Sequence, residues 1–309
     1  MPNILVIKHG AFGDFVQALG CLRAIRKHHP SDRITLMTTA PFEALARASG
    51  YVDDVYIDVR PKWYKIGAWV KLRGWLNAQN FAFVYDLQNS KRTSVYFELF
   101  SPVPDWNGIV KAASHSVEDG PARKAKHVFQ ALVDQLSVAS ITPITPDDLS
   151  WIEADISGFN LPVRYVLVAA GCSAKHPAKR WPVARYAQLC VQLAAKGITP
   201  VLLGTHDEAD VNTAIKAACP EAIDLTGRTT LFQIAVMARG AVAAVGNDTG
   251  PIQMIGPTGC KTLGLYPGFS NPARHGPLGA NVTTIQRHTM ADITLDQVWH
   301  QVSLAGGWV

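Results

Sequence analysis

The chain has 309 residues, of which 48% are hydrophobic and 17% are charged, and it carries a formal net charge of +5. This composition excludes a disordered or fibrous chain and provides for two ordinary hydrophobic cores. No apolar run reaches the roughly 18 residues of a membrane-spanning helix, and the N-terminus enters a strand without a signal-peptide pattern, so we expect a cytoplasmic protein. Five scattered cysteines without metal-ligand spacing predict reduced thiols, with neither disulfides nor structural zinc.

The first half of the chain alternates between short apolar strands and segments with helical spacing of apolar residues. Strands are predicted at residues 3–8, 33–38, 54–59 and 81–86. Helices are predicted from the glycine turn at residues 10–13 to residue 29, over 42–48, around 63–78, and from about residue 93. Because helices separate consecutive strands, we expect right-handed crossovers and a parallel sheet.

A second alternating series follows a stretch, residues 137–162, that is interrupted by proline and glycine. Strands are predicted at 164–170, 199–203, 222–224, 241–245 and 261–265, and helices at 183–196, 210–218, 230–238 and 294–303. The sequence therefore predicts an α/β protein with two doubly wound parallel-sheet domains, residues 1–160 and 161–309. Ligands in such folds bind at the carboxyl ends of the strands, and we expect the site in the cleft between the two halves.

Residues 246–251, Gly-Asn-Asp-Thr-Gly-Pro, follow a predicted buried strand and begin a helix. Pro251 suits the first turn of a helix, so the neighbouring backbone amides lack partners within it. Gly250 permits close approach to the backbone, while Asp248 and Thr249 add groups that suit ribose or phosphate. The pattern is typical of an anion site, and equally of an ordinary capped strand-to-helix junction.

Positive charge is concentrated between Arg60 and Lys126, where eleven Lys or Arg stand against five Asp or Glu. Such a block predicts a docking region for an anionic partner. Within residues 62–76, tryptophans alternate with cations, and Ile66, Trp69, Val70 and Leu76 are predicted to share one helix face. This pattern suits a membrane interface or an anionic glycolipid, and it also suits an amphipathic helix packed on the sheet with its cations extended to water.

Segments spread along the chain resemble glycosyltransferase family 9, the heptosyltransferases of lipopolysaccharide synthesis. They are residues 7–14 (IKHGAFGD), 86–90 (DLQNS), 179–182 (KRWP), 225–231 (LTGRTTL), 246–251 (GNDTGP) and 272–277 (PARHGP). Because these segments occur in order over nearly the whole length, the chain is identified as a member of that family. The resemblance implies a GT-B architecture, with two Rossmann-like domains that face each other across a cleft. It places the acceptor on the first domain and the nucleotide sugar on the second.

The resemblance also implies an inverting, metal-independent transferase that moves a sugar, expected to be heptose from ADP-heptose, to the lipopolysaccharide inner core. Asp14 falls at the position of the family's catalytic base. In an inverting transfer, this carboxylate would accept the proton of the acceptor hydroxyl as its oxygen attacks the anomeric carbon opposite the leaving diphosphate. From the residues alone, a helix cap is the better explanation of Asp14, and only the family resemblance favours the catalytic base.

The leaving diphosphate needs stabilisation, and the sequence has neither a DxD-like pair nor a metal-ligand cluster, so amide dipoles and fixed cations are expected to supply it. Lys179 is the side chain predicted to stabilise the leaving diphosphate, with both a catalytic and a donor-binding role. Considered alone, it would be interpreted as an ordinary surface lysine. The other donor-binding candidates are Gly171, Ser173, Asp248, Thr249, Gly250, Pro251 and Gln253. The acceptor-binding candidates are Gly13, Arg60, Lys62, Gln88, Arg92 and Arg123. We expect no cofactor and no metal.

Two departures from the family pattern bear on the donor. Gln253 stands where the family has a histidine, and an amide can donate a hydrogen bond but cannot become cationic. Residues 255–259, Ile-Gly-Pro-Thr-Gly, are expected to kink or shorten the helix. A family 9 transferase with another donor sugar therefore remains an alternative.

A second alternative is a non-catalytic nucleotide-sugar or glycan-binding protein that has kept the fold. A dehydrogenase is disfavoured because the first glycine loop is not GxGxxG. The expected partners are a nucleotide sugar and an anionic glycolipid, with peripheral attachment to the inner face of the cytoplasmic membrane and no nucleic acid.

Overall fold

The computed structural model describes residues 1–172 and 176–304. The chain divides into two compact units, Met1–Asp147 and Asp148–Val309. This division lies earlier than the boundary expected near residue 160, because the segment after Asp148 packs on the second unit. Arg239 donates hydrogen bonds to the carbonyl oxygens of Leu149 and Ile152.

The first unit contains a six-stranded parallel sheet in the order β3-β2-β1-β4-β5-β6. Its strands are β1 (Asn3–Ile7), β2 (Arg33–Thr38), β3 (Asp54–Ile57), β4 (Phe81–Asp86), β5 (Asp105–Gly108) and β6 (His115–Ser116). Its helices are α1 (Phe12–His28), α2 (Glu43–Ala48), α3 (Ile66–Ala78), α4 (Lys91–Phe97), α5 (Pro121–Ala125) and α6 (Val128–Val138). Residues 4–7 of β1 are at most 1% exposed, as expected for a central strand covered on both faces.

The second unit contains another six-stranded parallel sheet, in the order β12-β11-β10-β7-β8-β9. Its strands are β7 (Tyr165–Ala169), β8 (Thr199–Leu202), β9 (Ile223–Asp224), β10 (Ala243–Asn247), β11 (Thr262–Pro267) and β12 (Val282–Arg287). Its helices are α7 (Val183–Ala195), α8 (Ala209–Ala218), α9 (Leu231–Gly240), α10 (Gly250–Ile255), α11 (Pro272–His275) and α12 (Leu295–Leu304).

Both sheets have the same topology. Numbered from its own first strand, each sheet reads 3-2-1-4-5-6, which is the Rossmann order. The strand order reverses between β1 and β4 in the first unit and between β7 and β10 in the second. Ligands of such sheets bind beyond the carboxyl ends of the strands at this reversal. The predicted fold of two doubly wound parallel sheets is confirmed.

Six elements were absent from the sequence prediction, namely β5, β6, β12, α5, α6 and α11. Helices α5 and α11 have only five and four residues. β5 has the sequence Asp-Trp-Asn-Gly, in which three residues are depleted in strands, and β6 has only two residues. β12 is an edge strand in which Ile285 alone is buried, so it lacks an apolar run. α6 follows the basic segment and has buried residues at helical spacing, Phe129, Leu132 and Leu136 among them. The predicted shortening of the helix after Pro251 is confirmed, since α10 ends at Ile255 before a 3-10 turn.

Among the described residues, no helix is both long enough and apolar enough to cross a membrane. All five cysteines are free and buried. Burial raises the pKa of the Cys21, Cys190 and Cys260 thiols to about 12, so these groups act as small apolar side chains.

Candidate functional site

A cavity of about 360 Å³ opens at the carboxyl ends of β7, β8 and β10, the strands around the reversal point of the second sheet. Leu203, Leu231 and Ile234 give the cavity apolar surface, and hydroxyls come from Thr205, Thr229 and Thr249. Of the predicted donor-binding residues, the cavity is lined by Gly171, Thr249, Gly250 and Pro251. An apolar pocket with a few polar groups at this place in the fold suits a nucleotide.

Gly171 and Glu208 meet in the wall of this cavity. A Cβ added to Gly171 would lie 2.0 Å from Glu208 Cγ, so only glycine fits here. Glu208 is buried, and its Oε2 accepts hydrogen bonds from Thr205 N and Thr205 Oγ1, both at 2.6 Å. Sequence reasoning missed Glu208, because Thr205 and Glu208 form a capping box whose sequence signal is that of a helix start.

Thr249 to Pro251 form the first turn of α10 at the edge of the cavity. Thr249 is the N-cap residue, yet its side chain makes no capping hydrogen bond. Its Oγ1 is buried and has no hydrogen-bond partner within the described residues. The first amides of a helix likewise have no partner inside it. This corner of the cavity therefore offers donors without acceptors, which a phosphate would satisfy.

Lys179 and Asp248, predicted separately, form an ion pair. Lys179 ends a 3-10 turn, Pro177–Lys179, and its Nζ donates to Asp248 Oδ2 at 2.6 Å. The two side chains are 24% and 18% exposed, so the pair is shielded but remains accessible from outside. Ser270 Oγ donates to the same Asp248 oxygen at 3.1 Å. The lysine charge is thus fixed beside the first turn of α10.

Asn247, which sequence reasoning missed, holds these segments together. The side chain is fully buried. Its Nδ2 donates to the carbonyl oxygens of Ala170 and Gly171 at 2.7 and 3.1 Å. Its Oδ1 accepts from Trp181 N at 3.1 Å and from Tyr186 Oη at 2.9 Å. One amide therefore links the end of β7, the segment after Lys179 and helix α7.

Gln253 is not among the residues that line the cavity. It is 6% exposed, and its Nε2 donates to the carbonyl oxygen of His275 at 2.8 Å, which ties α10 to α11. Ser173 lies outside the described residues.

In the first unit, Asp14 lies in the first turn of α1, just after the carboxyl end of β1. The loop between them contains Gly10, with φ of +112°, and a Cβ there would lie 2.6 Å from the Phe42 ring. Lys8 is 3% exposed, and its Nζ donates to the carbonyl oxygen of Leu87 at 3.2 Å. Burial lowers the pKa of Lys8, and the negative charge of Asp14 opposes this shift. The buried Lys8 is therefore coupled electrostatically to the predicted base.

A second buried network adjoins the glycine loop. His9 Nε2 lies 3.0 Å from Asp58 Oδ2, and Tyr96 Oη donates to the same oxygen at 2.6 Å. Burial alone would raise the pKa of Asp58, but the nearby His9 ring and the hydrogen bonds from Tyr96 and the Arg60 amide outweigh it and lower the pKa. His9 N donates to Gln88 Oε1 at 2.9 Å. Gln88, predicted for the acceptor, therefore braces the loop that leads to Asp14.

The acceptor-binding candidates fall into two groups. Arg60 and Lys62 are exposed near Pro61, whose carbonyl oxygen accepts from Arg92 Nη1 at 3.0 Å, so these three cations lie around one turn. Arg123 instead donates to Ala131 O at 2.7 Å and to Gln135 Oε1 at 2.8 Å, which fastens α5 to α6. Gly13 lies in the first turn of α1 beside Asp14.

Within residues 1–172 and 176–304, no group of three or more His, Cys, Asp or Glu side chains is arranged to hold a metal ion.

Comparison with known proteins gives consistent matches. The sequence model of glycosyltransferase family 9 (heptosyltransferase) matches residues 69–299. Lipopolysaccharide heptosyltransferase 2 of Escherichia coli is 24% identical over 305 residues, which cover 88% of this chain and 86% of that protein. Lipooligosaccharide heptosyltransferase 2 of Haemophilus influenzae is 30% identical over 115 residues, and this match spans 36% of the chain but only 33% of the relative's length.

Solved structures agree in fold. The E. coli ADP-heptose lipopolysaccharide heptosyltransferase II has a TM-score of 0.76 at 21% identity, with 98% of each chain covered. E. coli heptosyltransferase WaaC with ADP-2-deoxy-2-fluoro heptose has a TM-score of 0.74 at 17% identity, with 98% of this chain and 100% of that chain covered. These likenesses show the fold, which is of the GT-B type. Since the family model covers most of the sequence, the chain belongs to glycosyltransferase family 9, the heptosyltransferases.

Proposed function

We propose that the protein is an inverting, metal-independent heptosyltransferase that moves heptose from ADP-heptose to the lipopolysaccharide inner core. The second unit binds the donor and the first unit binds the acceptor. The observation that carries the donor half is the cavity at the β7–β10 reversal, with a fixed Lys179 beside its phosphate-sized corner. Solved relatives that contain ADP and an ADP-heptose analogue support the choice of nucleotide.

The apolar and the polar surfaces of the cavity suit different parts of the nucleotide-sugar donor. The nucleobase packs on Leu203, Leu231 and Ile234, the apolar surface of the cavity. The diphosphate lies at the first turn of α10, where the Thr249 hydroxyl and the unpaired amides donate to its oxygens. Lys179 faces the negative charge that develops as the diphosphate leaves, and this fixed cation lowers the barrier because it needs no reorganisation. Gly171, Asp248, Gly250 and Pro251 position the lysine and the backbone amides that contact the diphosphate.

Asp14 acts as the general base in the first unit. The acceptor hydroxyl oxygen forms a bond to the anomeric carbon of heptose, the bond from that carbon to the diphosphate oxygen breaks, and ADP leaves. The hydroxyl proton passes to the Asp14 carboxylate. Lys8 and the His9–Asp58 pair support the loop that leads to Asp14. This single displacement inverts the configuration at the anomeric carbon.

The acceptor is an anionic glycolipid at the inner face of the cytoplasmic membrane, where the protein attaches peripherally. Arg60, Lys62 and Arg92, which surround one turn of the first unit, bind its phosphates or carboxylates. Gly13 lies next to Asp14 in the chain. Gln88 orients the loop before Asp14 through its hydrogen bond with the His9 amide. Arg123 contributes indirectly, through its hydrogen bond to Gln135 of α6.

A transferase with a different donor sugar is the second candidate, and Gln253 is the observation that favours it. Its amide is committed to the His275 carbonyl oxygen, so the position where the family has a histidine here carries a neutral group turned to α11. Preference for another sugar would follow if that histidine helps to select heptose.

Turnover assays test the proposal. The protein is incubated with ADP-heptose and a deeply truncated lipopolysaccharide, with and without a metal chelator, and the anomeric configuration of the product is determined. We expect product of inverted configuration at a rate that the chelator leaves unchanged. Nucleotide-sugar binding without turnover across a panel of donors and acceptors would instead identify a binding protein, and retention of configuration would reject the single displacement.

A further inference from the structure

Exposed apolar side chains are concentrated in one segment of the first unit. Val59, Trp63, Tyr64, Ile66 and Val70 are 79%, 83%, 52%, 74% and 65% exposed. Val59, Tyr64 and Ile66 line one shallow depression, and the rings of Trp63 and Tyr64 are 5.7 Å apart. Single exposed apolar residues are ordinary, but a contiguous group marks an interaction surface. We call residues 59–73 the docking surface.

Hydrogen bonds to neighbouring residues fix the turn that carries Trp63. Pro61 is buried, and its carbonyl oxygen accepts from Arg92. Trp69 Nε1 donates to the carbonyl oxygen of Lys62 at 3.2 Å, and Lys65 N donates to the same oxygen at 2.9 Å. These bonds fix the backbone on both sides of Trp63. Its outward position therefore follows from the fold and does not come from fraying of a loop.

Helix α3 continues the docking surface with two different faces. Leu72 and Leu76 are at most 3% exposed and belong to the core of the first unit. Ile66 and Val70, four residues apart, lie one above the other on a separate, exposed side. The sequence prediction that Leu76 shares their face is wrong, because Leu76 is buried in the core. Helical geometry places Lys71 and Arg73 on the two flanks of that apolar stripe. The sequence left two interpretations of this helix open: one face packs on the sheet, or one face meets a partner. The structure allows both, because the buried and the exposed apolar residues lie on different faces.

The docking surface carries charge of one sign. No Asp or Glu occurs in residues 59–85, whereas five cations fall in residues 59–73. They are Arg60, Lys62, Lys65, Lys71 and Arg73, all of them exposed. Among the ion pairs that the described residues form, none involves these five. Lys62 Nζ and Lys65 Nζ each lie 5.8 Å from the Tyr64 ring centre, so cations and aromatic surface are interleaved.

We propose that the docking surface binds an anionic phospholipid bilayer. Trp63, Ile66 and Val70 enter the boundary between headgroups and acyl chains, where amphipathic aromatic rings are favoured. The surrounding cations remain at the level of the anionic headgroups and add to the attraction. The inference rests on the proposed function, since a glycolipid acceptor is embedded in such a bilayer. It adds the segment of this chain that makes the contact.

Vesicle sedimentation tests the proposal with two variants of the full chain. The apolar variant is Trp63→Ser/Ile66→Ser, and the charge variant is Lys65→Gln/Lys71→Gln/Arg73→Gln. Matched controls at exposed positions elsewhere are Val163→Ser and Lys27→Gln/Lys111→Gln/Lys196→Gln. Vesicles contain phosphatidylcholine with about a third phosphatidylglycerol, or phosphatidylcholine alone, because binding to anionic lipid depends on headgroup charge.

We expect the unsubstituted protein to bind the anionic vesicles and to bind the neutral ones far less. The charge variant should lose about a hundredfold in affinity, roughly fivefold for each cation. The apolar variant should lose at least about tenfold, because two large side chains no longer leave water. Both controls should bind as the unsubstituted protein does. Unchanged binding by both surface variants would overturn the proposal, as would a loss of self-association in the apolar variant with vesicle binding intact.

Activity on two forms of the acceptor separates this proposal from the proposed function. On an acceptor embedded in vesicles, the two surface variants should be slow. On the delipidated, water-soluble core oligosaccharide, they should match the unsubstituted protein. If the unsubstituted protein transfers sugar to neither form of the acceptor but still binds vesicles through this surface, the proposed function fails and the docking surface stands.

Discussion

Lys179 Nζ donates a 2.6 Å hydrogen bond to Asp248 Oδ2, and this ion pair joins the turn before α7 to the end of β10. The pair lies beside the first turn of α10, where the Thr249 hydroxyl has no partner among the described residues. A cation fixed in this way can stabilise a leaving diphosphate without moving, which is the property that electrostatic catalysis requires. Asp248 keeps the lysine in place before the donor binds.

Replacement of Lys179 should therefore slow the chemical step. We expect Lys179→Ala to lower kcat by about a hundredfold or more, in line with the loss of one preorganised charge at a reacting oxygen. Asp248→Asn should lower it less, because Ser270 still orients the side chain and the lysine keeps its charge. Steady-state kinetics with ADP-heptose measure both. An exposed lysine of the same unit, Lys196→Ala, is the control, and equal activity of Lys179→Ala and this control would contradict the assignment.

Removal of the Asn247 amide should weaken both folding and donor binding. Asn247→Ala leaves the carbonyl oxygens of Ala170 and Gly171 and the Tyr186 hydroxyl without their buried partner. We expect the free energy of unfolding to fall by about 2–4 kcal/mol, since unsatisfied buried groups are costly. Denaturant titration measures this loss.

The control for Asn247 is Asn107, a buried asparagine of the first unit whose Nδ2 donates to the carbonyl oxygens of His115 and Gln135. Asn107→Ala should also be destabilising, yet it should leave the affinity for ADP unchanged. If both variants bind ADP with the affinity of the unsubstituted protein under folding conditions, then Asn247 serves stability alone.

A methyl group at Gly171 should close part of the cavity. In Gly171→Ala, the new Cβ meets Glu208 Cγ at 2.0 Å, so the buried carboxylate must shift. Such overpacking costs about 1–3 kcal/mol of stability, and the displaced side chain should reduce ADP affinity as well. Gly74→Ala in α3 is the control, because open space surrounds that position and alanine favours a helix. Calorimetric titration with ADP distinguishes the two. Normal ADP binding by Gly171→Ala would place the nucleotide elsewhere.

The Asp58 network should make stability depend on acid pH. The pKa of Asp58 is lowered from 3.8 in the folded chain, so the unfolded chain binds the proton more readily. The stabilisation is therefore complete above the unfolded value and is lost as the pH falls through the lower, folded one. Asp58→Asn should cost about 1–3 kcal/mol near neutral pH, where the hydrogen bonds to the charged group are intact.

That cost should shrink as the pH falls from 3.8 through the lower, folded pKa, because both states carry a protonated Asp58 only below that folded value. Denaturant titrations of the two proteins over a series of pH values give the difference directly. Tyr96→Phe, which removes one donor to the carboxylate, should show a smaller effect of the same sign. A difference between Asp58→Asn and the unsubstituted protein that is independent of pH would refute the role of the charge.

The sequence predicted the strands that carry the site and missed elements with little to bury. β1, β4, β7 and β10 are continuous apolar runs because helices cover both faces of a parallel sheet. The edge strand β12 has one buried side chain and gives no such signal. Helix α6 did have a readable pattern, which the sequence prediction overlooked beside the basic block.

The site was predicted in part for a comparable reason. The Gly-Asn-Asp-Thr-Gly-Pro motif identified Thr249 and Gly250 as cavity residues through their local backbone chemistry. Asn247 lies within the same motif, but its partners are more than 60 residues away in the chain, and only the folded structure brings them to it. Glu208 and Lys8 were missed for a similar reason. In the sequence, Glu208 has the pattern of a helix cap and Lys8 that of the end of a strand.

In the proposed mechanism, Asp14 removes the proton of the acceptor hydroxyl. The most direct test is the kcat of Asp14→Asn with ADP-heptose and truncated lipopolysaccharide, measured together with the Kd for ADP-heptose. Asp210→Asn is the control, because Asp210 also lies in the first turn of a helix, α8. We predict that Asp14→Asn lowers kcat by about a hundredfold to ten-thousandfold, with the Kd and the melting temperature unchanged. A kcat for Asp14→Asn equal to that of Asp210→Asn would show that Asp14 is not the general base.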